Sequence, residues 1–304
     1  MKILLATDGS QSSDYAARFL TGLNLSQNDS ITVFHAIFAV PFHNDEKFYF
    51  STLQAIKKEL GPRILDSALA ILKPVKAAVS VQIDEFAPSQ CTPEQCIIDA
   101  AEAADVDMIA MGAKGIKGIS SAFLGSVTRL VTIKSTKPVL AVKPPTTSHA
   151  GMLKVLFATD GSNCSRETAG ILSALPFPDS TEVTILNVIV SGFSDIPEHF
   201  ALEVNDRIKE AVAGRREVEF GESEQILDQS KKVLDNRYKS IHVLSKVGDP
   251  STEILKTGDE IGADLIAVGS RGVRGIEGLL GSVSRNVLTH SKCSVLIGKT
   301  HKQR

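Results

Sequence analysis

The sequence DMIAMGAKGIKG at 107–118 returns as DLIAVGSRGVRG at 264–275. In each copy an aliphatic run, typical of a buried strand, ends at a glycine and continues into a glycine-rich loop. The two copies lie 157 residues apart in a chain of 304 residues. Self-similarity at such a distance indicates a duplicated domain.

Three further blocks repeat in the same order, at offsets of 152, 156 and 156 residues: KILLATDGS (2–10) as KVLFATDGS (154–162), LGSVTRLV (124–131) as LGSVSRNV (280–287), and PVLAVK (138–143) as SVLIGK (294–299). Between the halves, PPTTSHAG at 144–151 has the composition of a linker. We therefore predict two domains, 1–145 and 152–304. Because the linker is short, we expect them side by side as a pseudo-two-fold pair resembling a homodimer.

Each half alternates aliphatic, β-branched runs with amphipathic helical stretches. Strands that are almost continuously apolar and separated by helices are typical of a parallel sheet covered on both faces. The predicted fold class is therefore α/β, with two doubly wound, five-stranded parallel-sheet domains. In such sheets the ligand site lies at the carboxyl ends of the strands, where the strand order reverses.

Composition excludes several classes of function. The chain is 43% hydrophobic and 22% charged, with a formal net charge of −2. A general nucleic-acid or membrane-surface binder would need a basic excess, so we expect neither partner. No apolar run reaches the length of a membrane span, and the apolar start is too short for a signal peptide. We expect a cytoplasmic protein with no metal site, and we expect Cys91 and Cys96 to be ordinary reduced thiols.

The glycine-rich loop predicts an anion site. Gly112, Gly115 and the Gly125–Ser126 pair give the spacing G-x2-G-x9-G-S. Glycines let the backbone approach a ligand closely, and the N–H groups of the helix that starts here attract phosphate. We expect Ser126 to cap this helix and to donate its hydroxyl to a phosphate oxygen. The alternative is a loop that merely needs positive φ, but the placement between strand and helix, twice, favours phosphate. Neither GxxxxGK[ST] nor a GxGxxG after the first strand is present.

A carboxylate follows the first strand of each half, at Asp8 and Asp160. It can accept hydrogen bonds from ribose hydroxyls or from an adenine amino group, although Asp-Gly-Ser is also a strong turn sequence. Beside a phosphate site we favour contact with a nucleoside. The loop cations, which either neutralise phosphate or keep the surface soluble, are Lys114, Lys117, Arg271 and Arg274.

Together these residues resemble the universal stress protein family, whose ATP-binding members carry G-x2-G-x9-G-(S/T). The resemblance covers both halves and implies strand order 3-2-1-4-5, pairing between PVLAVK and SVLIGK, and bound ATP or a related adenine nucleotide, with or without Mg²⁺. It implies that the adenosine meets Ala6, Thr7, Asp8 and Ala36, and that the phosphates meet Met111, Gly112, Gly115, Gly125, Ser126 and Val127. The matching positions of the second half are Ala158, Thr159, Asp160, Val188, Val268, Gly269, Gly272, Gly281, Ser282 and Val283.

The halves depart from this pattern in different places. In the second half eight residues, not nine, separate Gly272 from Gly281, and we expect the helix start to be drawn toward the loop. In the first half EFAPSQCTPEQC replaces the family-like VGDPSTEIL near the third strand, which leaves the phosphate motif whole. We therefore predict that the first half is the better ATP site.

The leading functional hypothesis is an ATP-binding regulatory protein of the stress response that contacts an unidentified protein partner. The sequence leaves open whether two copies of the chain also form a homodimer. One alternative is a slow ATPase or phosphotransferase, although each site has one carboxylate and no set of nucleophile and base. Another is an interaction module whose nucleotide sites are vestigial in one or both halves.

Overall fold

The repeated blocks fold into alternating strands and helices. The computed structural model describes residues 1–38, 47–86, 91–115, 124–145, 152–190, 206–272 and 280–300, the side chains of 47–50 and 206–213 excepted. The predicted linker falls mostly at 146–151, outside these ranges, so the domain bounds stay a prediction.

The first half contains five strands and four helices among its described residues: β1 Lys2–Ala6, α1 Gln11–Thr21, β2 Ser30–Phe38, α2 Lys47–Leu72, β3 Ala78–Phe86, α3 Pro93–Ala103, β4 Met108–Gly112, α4 Ser126–Lys134 and β5 Val139–Val142. The second half repeats this order: β6 Lys154–Ala158, α5 Asn163–Ala174, β7 Glu182–Ile189, α6 Asp206–Leu234, β8 Ser240–Val247, α7 Pro250–Ile261, β9 Leu265–Gly269, α8 Ser282–His290 and β10 Ser294–Gly298.

All ten strands belong to one sheet, in the order β3-β2-β1-β4-β5-β10-β9-β6-β7-β8. Pairing is parallel within each half and antiparallel between β5 and β10, where Leu140 lies opposite Leu296. The predicted order 3-2-1-4-5 and the predicted junction between PVLAVK and SVLIGK are therefore confirmed. Antiparallel pairing of equivalent strands relates the two halves by a pseudo-two-fold axis.

Helices cover both faces of the sheet, because strand side chains alternate between the faces. Ile3 and Leu5 of β1 pack with α1 and α2 in a core that continues under α5 and α6. Leu4 points the other way and packs with Ile97 of α3 and Val131 of α4. In the second half α7 and α8 cover the same face as α3 and α4. Within the described ranges, no helix combines the length and the apolar character needed to cross a membrane.

The cysteines differ from expectation. Cys91 and Cys96 are bonded to each other, so the prediction of reduced thiols is wrong for this pair. The chain turns into α3 at Thr92, which leaves their Cα atoms 6.0 Å apart, within the reach of a disulfide. Cys164 and Cys293 are free and buried. Burial raises the pKa of the Cys293 thiol to about 12.

Candidate functional site

The first wall of the site is the turn after the first strand of each half. Gly9 (φ 76°) and Gly161 (φ 72°) adopt the left-handed conformation that favours glycine. Asp8 Oδ1 accepts a hydrogen bond from the Ser10 amide at 3.0 Å, and Asp160 repeats this contact with Ser162 at 3.1 Å. The turn role considered above is therefore present, and it holds each carboxylate at the carboxyl edge of the sheet.

The glycine loop closes against this carboxylate. A Cβ at Gly115 would lie 2.9 Å from Asp8 Oδ2, and a Cβ at Gly272 would lie 2.7 Å from Asp160 Oδ2. A larger residue at either glycine would push the carboxylate away. The sequence motif and the aspartate thus form one unit in each half.

The second wall is the start of α4 and of α8. Their N-cap residues are Gly125 and Gly281, and neither makes a side-chain cap hydrogen bond. The prediction that Ser126 caps the helix is therefore wrong, because Ser126 is its first helical residue. By contrast, side chains cap α1 (Ser10), α5 (Ser162) and α7 (Asp249). The first amides of α4 and α8 are thus not used by a capping side chain.

Both helix starts are anchored in the same way. Gly125 donates its amide to the Ala113 carbonyl at 2.8 Å, and Gly281 donates to Ser270 at the same distance. The hydroxyl of Thr128 bonds the Gly112 carbonyl at 2.8 Å, as Ser284 bonds Gly269. The expected displacement of the helix in the second half is therefore not seen. The missing residue falls at 273–279, outside the described residues.

Each half holds a cavity between these walls. The first has a volume of about 860 Å³, and all ten predicted residues of that half line it. The second has a volume of about 630 Å³, and all ten predicted residues of that half line it. Lys114 lines the first cavity and Arg271 the second, whereas Lys117 and Arg274 lie outside the described residues.

Sequence reasoning missed the apolar side of each cavity. In the first half it consists of Phe34 and Phe38 of β2 with Pro93 and Ile97 of α3. The second half uses an aliphatic set instead, Leu186, Val190, Pro250 and Ile254, beside the predicted Val188. The apolar residues in the first two turns of α3 were the available signal, but no local spacing indicates that these turns face the glycine loop.

His35 is another cavity residue that the motif did not reveal. Its Nδ1 lies 2.8 Å from the Thr7 carbonyl, which can only accept, so Nδ1 carries a proton. In the second half the amide of Asn187 donates to the equivalent Thr159 carbonyl at 2.7 Å. Both side chains tie the second strand to the turn that carries the aspartate.

The described residues offer no group of three or more His, Cys, Asp or Glu side chains that could hold a metal ion. Each cavity instead combines uncapped helix amides, a carboxylate and an apolar wall. This defines a class: duplicated, doubly wound α/β proteins with one cavity per half at the carboxyl edge of a shared sheet.

Comparison with known proteins places the chain within this class. The model of the universal stress protein family matches residues 1–143 and 152–299, so the chain belongs to the universal stress protein family. Universal stress protein YxiE of Bacillus subtilis is 32% identical over 154 residues, which span 47% of this chain and 97% of that protein. Universal stress protein MJ0531 of Methanocaldococcus jannaschii is 31% identical over 153 residues, 49% of this chain and 84% of that protein.

A solved structure extends the likeness to the whole chain. A universal stress protein from Archaeoglobus fulgidus superposes with a TM-score of 0.58 at 24% identity, covering 98% of each chain. At this identity the match shows the fold alone. The double-domain arrangement therefore occurs in another member of the family.

Proposed function

We propose that this protein binds an adenine nucleotide, ATP, in each half and works as a cytoplasmic regulatory protein of the stress response. One observation carries the proposal: α4 and α8 begin without side-chain caps and open onto cavities that also hold a carboxylate and an apolar wall. A helix N-terminus of this kind attracts phosphate through its free N–H groups and its dipole.

In the first half the amides at Ser126 and Val127 would hold phosphate oxygens, with Lys114 supplying charge. Asp8 would accept hydrogen bonds from the ribose, and the base would lie against the apolar wall that includes Phe38 and Ile97. The corresponding second-half residues would act in the same way. Mg²⁺, if it accompanies ATP, would supply charge neutralisation at the phosphates.

We propose that the first half is the better site. Its cavity is larger, about 860 Å³ against 630 Å³, and Phe38 gives it an aromatic surface where the second half has Val190. Aromatic faces bind purines well because stacking adds to apolar burial. We also propose that bound ATP is not turned over rapidly. Among the described residues that line the first cavity, Asp8 is the only carboxylate, and its Oδ1 already accepts a hydrogen bond from the Ser10 amide. These residues therefore provide no separate nucleophile and base.

The regulatory part of the proposal rests on family membership. Nucleotide-dependent contacts with a protein partner would carry the signal, and 1–145 and 152–304 would be the two domains. A second copy of the chain is one such partner.

The proposal is tested by placing a negative charge at the helix start. Ser126→Glu adds a carboxylate at an exposed first helical position, where an acidic residue stabilises the helix but repels phosphate. We expect the affinity of the first site for ATP, measured by isothermal titration calorimetry, to fall at least about tenfold. Gln27→Glu adds the same charge in the exposed loop before β2, at the opposite edge of the sheet, and should leave binding unchanged.

Equal loss in Ser126→Glu and Gln27→Glu would show that the helix start is not the phosphate site. Unaltered binding in Ser126→Glu, with the fold verified by circular dichroism, would contradict the proposal for the first half. Ser282→Glu provides the same test for the second.

A further inference from the structure

Two lysines cross the junction between the halves. Lys143 follows β5 and Lys299 follows β10, at equivalent positions of the repeat. The Nζ atom of Lys143 donates to the carbonyl oxygens of Leu288 at 3.2 Å and Ser291 at 2.5 Å. Both acceptors belong to the C-terminal end of α8, which lies in the other half.

Lys299 makes the reciprocal contact. Its Nζ donates to the carbonyl of Thr132 at 2.6 Å and lies 3.5 Å from that of Ile133, in the last turn of α4. The last carbonyls of a helix have no partner within the helix, and a cation there complements the helix dipole. Lys143 of the first half therefore caps the C-terminal end of α8, and Lys299 of the second half caps that of α4.

These contacts bury Lys299 and partly bury Lys143. Lys299 is 9% exposed, and desolvation lowers the pKa of Lys143 and of Lys299 to about 8. A lysine that merely met a neighbouring surface would keep its ammonium in water. The backbone reinforces the junction, since the Lys143 amide donates to Ser294 Oγ at 3.2 Å.

Each of these helices is thus held at its two ends by different halves. The start of α4 is fixed to β4 by Thr128 and Gly125, whereas its end is fixed by Lys299 of the second half. The helix has nine residues, a length of roughly 13 Å, so a shift of one end displaces the other end. Its start is the proposed phosphate site.

We infer that Lys143 and Lys299 are crossed positioning residues: each sets, through the C-terminal end of the other half's helix, the nucleotide affinity of the opposite site. This inference rests on the proposed function for its effect on affinity, but not for the crossed support of the helices. Each half thereby supports the nucleotide site of the other across the β5–β10 junction.

The test uses the full chain with one site blocked. In the Ser126→Glu background the second site is the tighter one, and in the Ser282→Glu background the first. We expect Lys143→Met to weaken ATP binding by about fivefold or more in the Ser126→Glu background, and less in the Ser282→Glu background. Lys299→Met should show the opposite preference. Lys143→Arg, which keeps the cation, should restore most of the affinity.

Lys292→Met is the matched control, because Lys292 carries the same charge near α8 but is exposed and pairs with Asp259. It should change neither affinity. Equal effects of Lys143→Met on both sites, or a larger effect on the first site, would overturn the inference.

Hydrogen exchange of the nucleotide-free chain gives a readout that does not depend on ATP. Lys143→Met should speed amide exchange in α8 and spare α4, and Lys299→Met should do the reverse. If exchange is faster in the helix of the opposite half but the chain binds no ATP, the proposed function is refuted, while the support of each helix by the other half's lysine stands. Exchange that is unchanged, or raised in the lysine's own half, would refute the crossed support itself.

Discussion

Gly298 and Thr168 show how single residues adapt the second half to its own packing. A Cβ at Gly298 would lie 1.9 Å from Thr168 Oγ1, and Thr168 is fully buried on α5. The equivalent residues of the first half are Val142 and Ala16, so the large and the small member exchange places.

This pair predicts a double-mutant effect. Gly298→Ala should lower the free energy of unfolding by about 1–3 kcal/mol, because the added methyl overpacks the junction between α5 and β10. Adding Thr168→Ala should recover at least half of the loss, as measured by chemical denaturation. Gly170→Ala is the control, since nothing lies within 4 Å of a Cβ there. A stable Gly298→Ala variant would contradict the packing described.

Lys299 predicts a pH dependence. Its pKa in the folded protein is about 8, below the ordinary 10.5, because burial disfavours the charged form. Between these values the unfolded chain keeps a proton that the folded chain has released, so stability rises with pH. Below about 8 both states are protonated, and the cost of burying the charge is present in full.

Lys299→Met removes this contribution. The free energy of unfolding of the natural chain, relative to that of the variant, should rise by about 1–3 kcal/mol between pH 7.5 and 10. Cys293 and the other titrating groups are common to both chains and cancel in the difference. A flat or falling difference would show that Lys299 is not buried as described.

Among the secondary-structure elements, the helix N-termini differ in role: some are capped by side chains, and others are left open to a ligand. The α7 helix starts with a capped turn, in which Asp249 Oδ1 accepts hydrogen bonds from the Thr252 amide and hydroxyl, both at 2.8 Å. This helix carries Pro250 and Ile254 into the second cavity. The α4 and α8 helices lack such caps where the proposed ligand would take their place.

Loss of the α7 cap should therefore lower the free energy of unfolding. Asp249→Ala should cost about 1 kcal/mol of unfolding free energy, because the first-turn amides of α7 lose their acceptor. Asp249→Asn keeps a capping oxygen and should remain within about 0.5 kcal/mol of the natural chain. Thermal and chemical denaturation would check both values, and equal stability of the Ala and Asn variants would contradict the cap's role.

Part of the fold and of the candidate site could be predicted from the sequence. Repeated blocks specify the duplication and the glycine loops, because both depend on contiguous residues such as Gly112 and Gly115. The strand order came from the resemblance to the universal stress protein family. The α3 side of the cavity was not predictable, since Pro93 and Ile97 reach it only through the tertiary packing of α3. The cap expected at Ser126 was wrong because the helix begins at Ser126 itself, one residue earlier than a capping serine requires.

For the whole molecule, the antiparallel β5–β10 pair joins two five-stranded sheets into one of ten strands. The resemblance to the universal stress protein family predicted this junction between PVLAVK and SVLIGK. The contacts of Lys143 and Lys299 with the opposite half could not be predicted, because a lysine at the end of a strand ordinarily lies in solvent. Only the paired halves bring each of them to the other's helix.

The most direct test of the account is the number of ATP molecules retained by the intact chain, counted by native mass spectrometry. We expect two in the natural protein, one in Ser126→Glu and in Ser282→Glu, and none when both substitutions are combined. A natural chain that holds no nucleotide at saturating ATP, or a doubly substituted chain that still holds two, would contradict it.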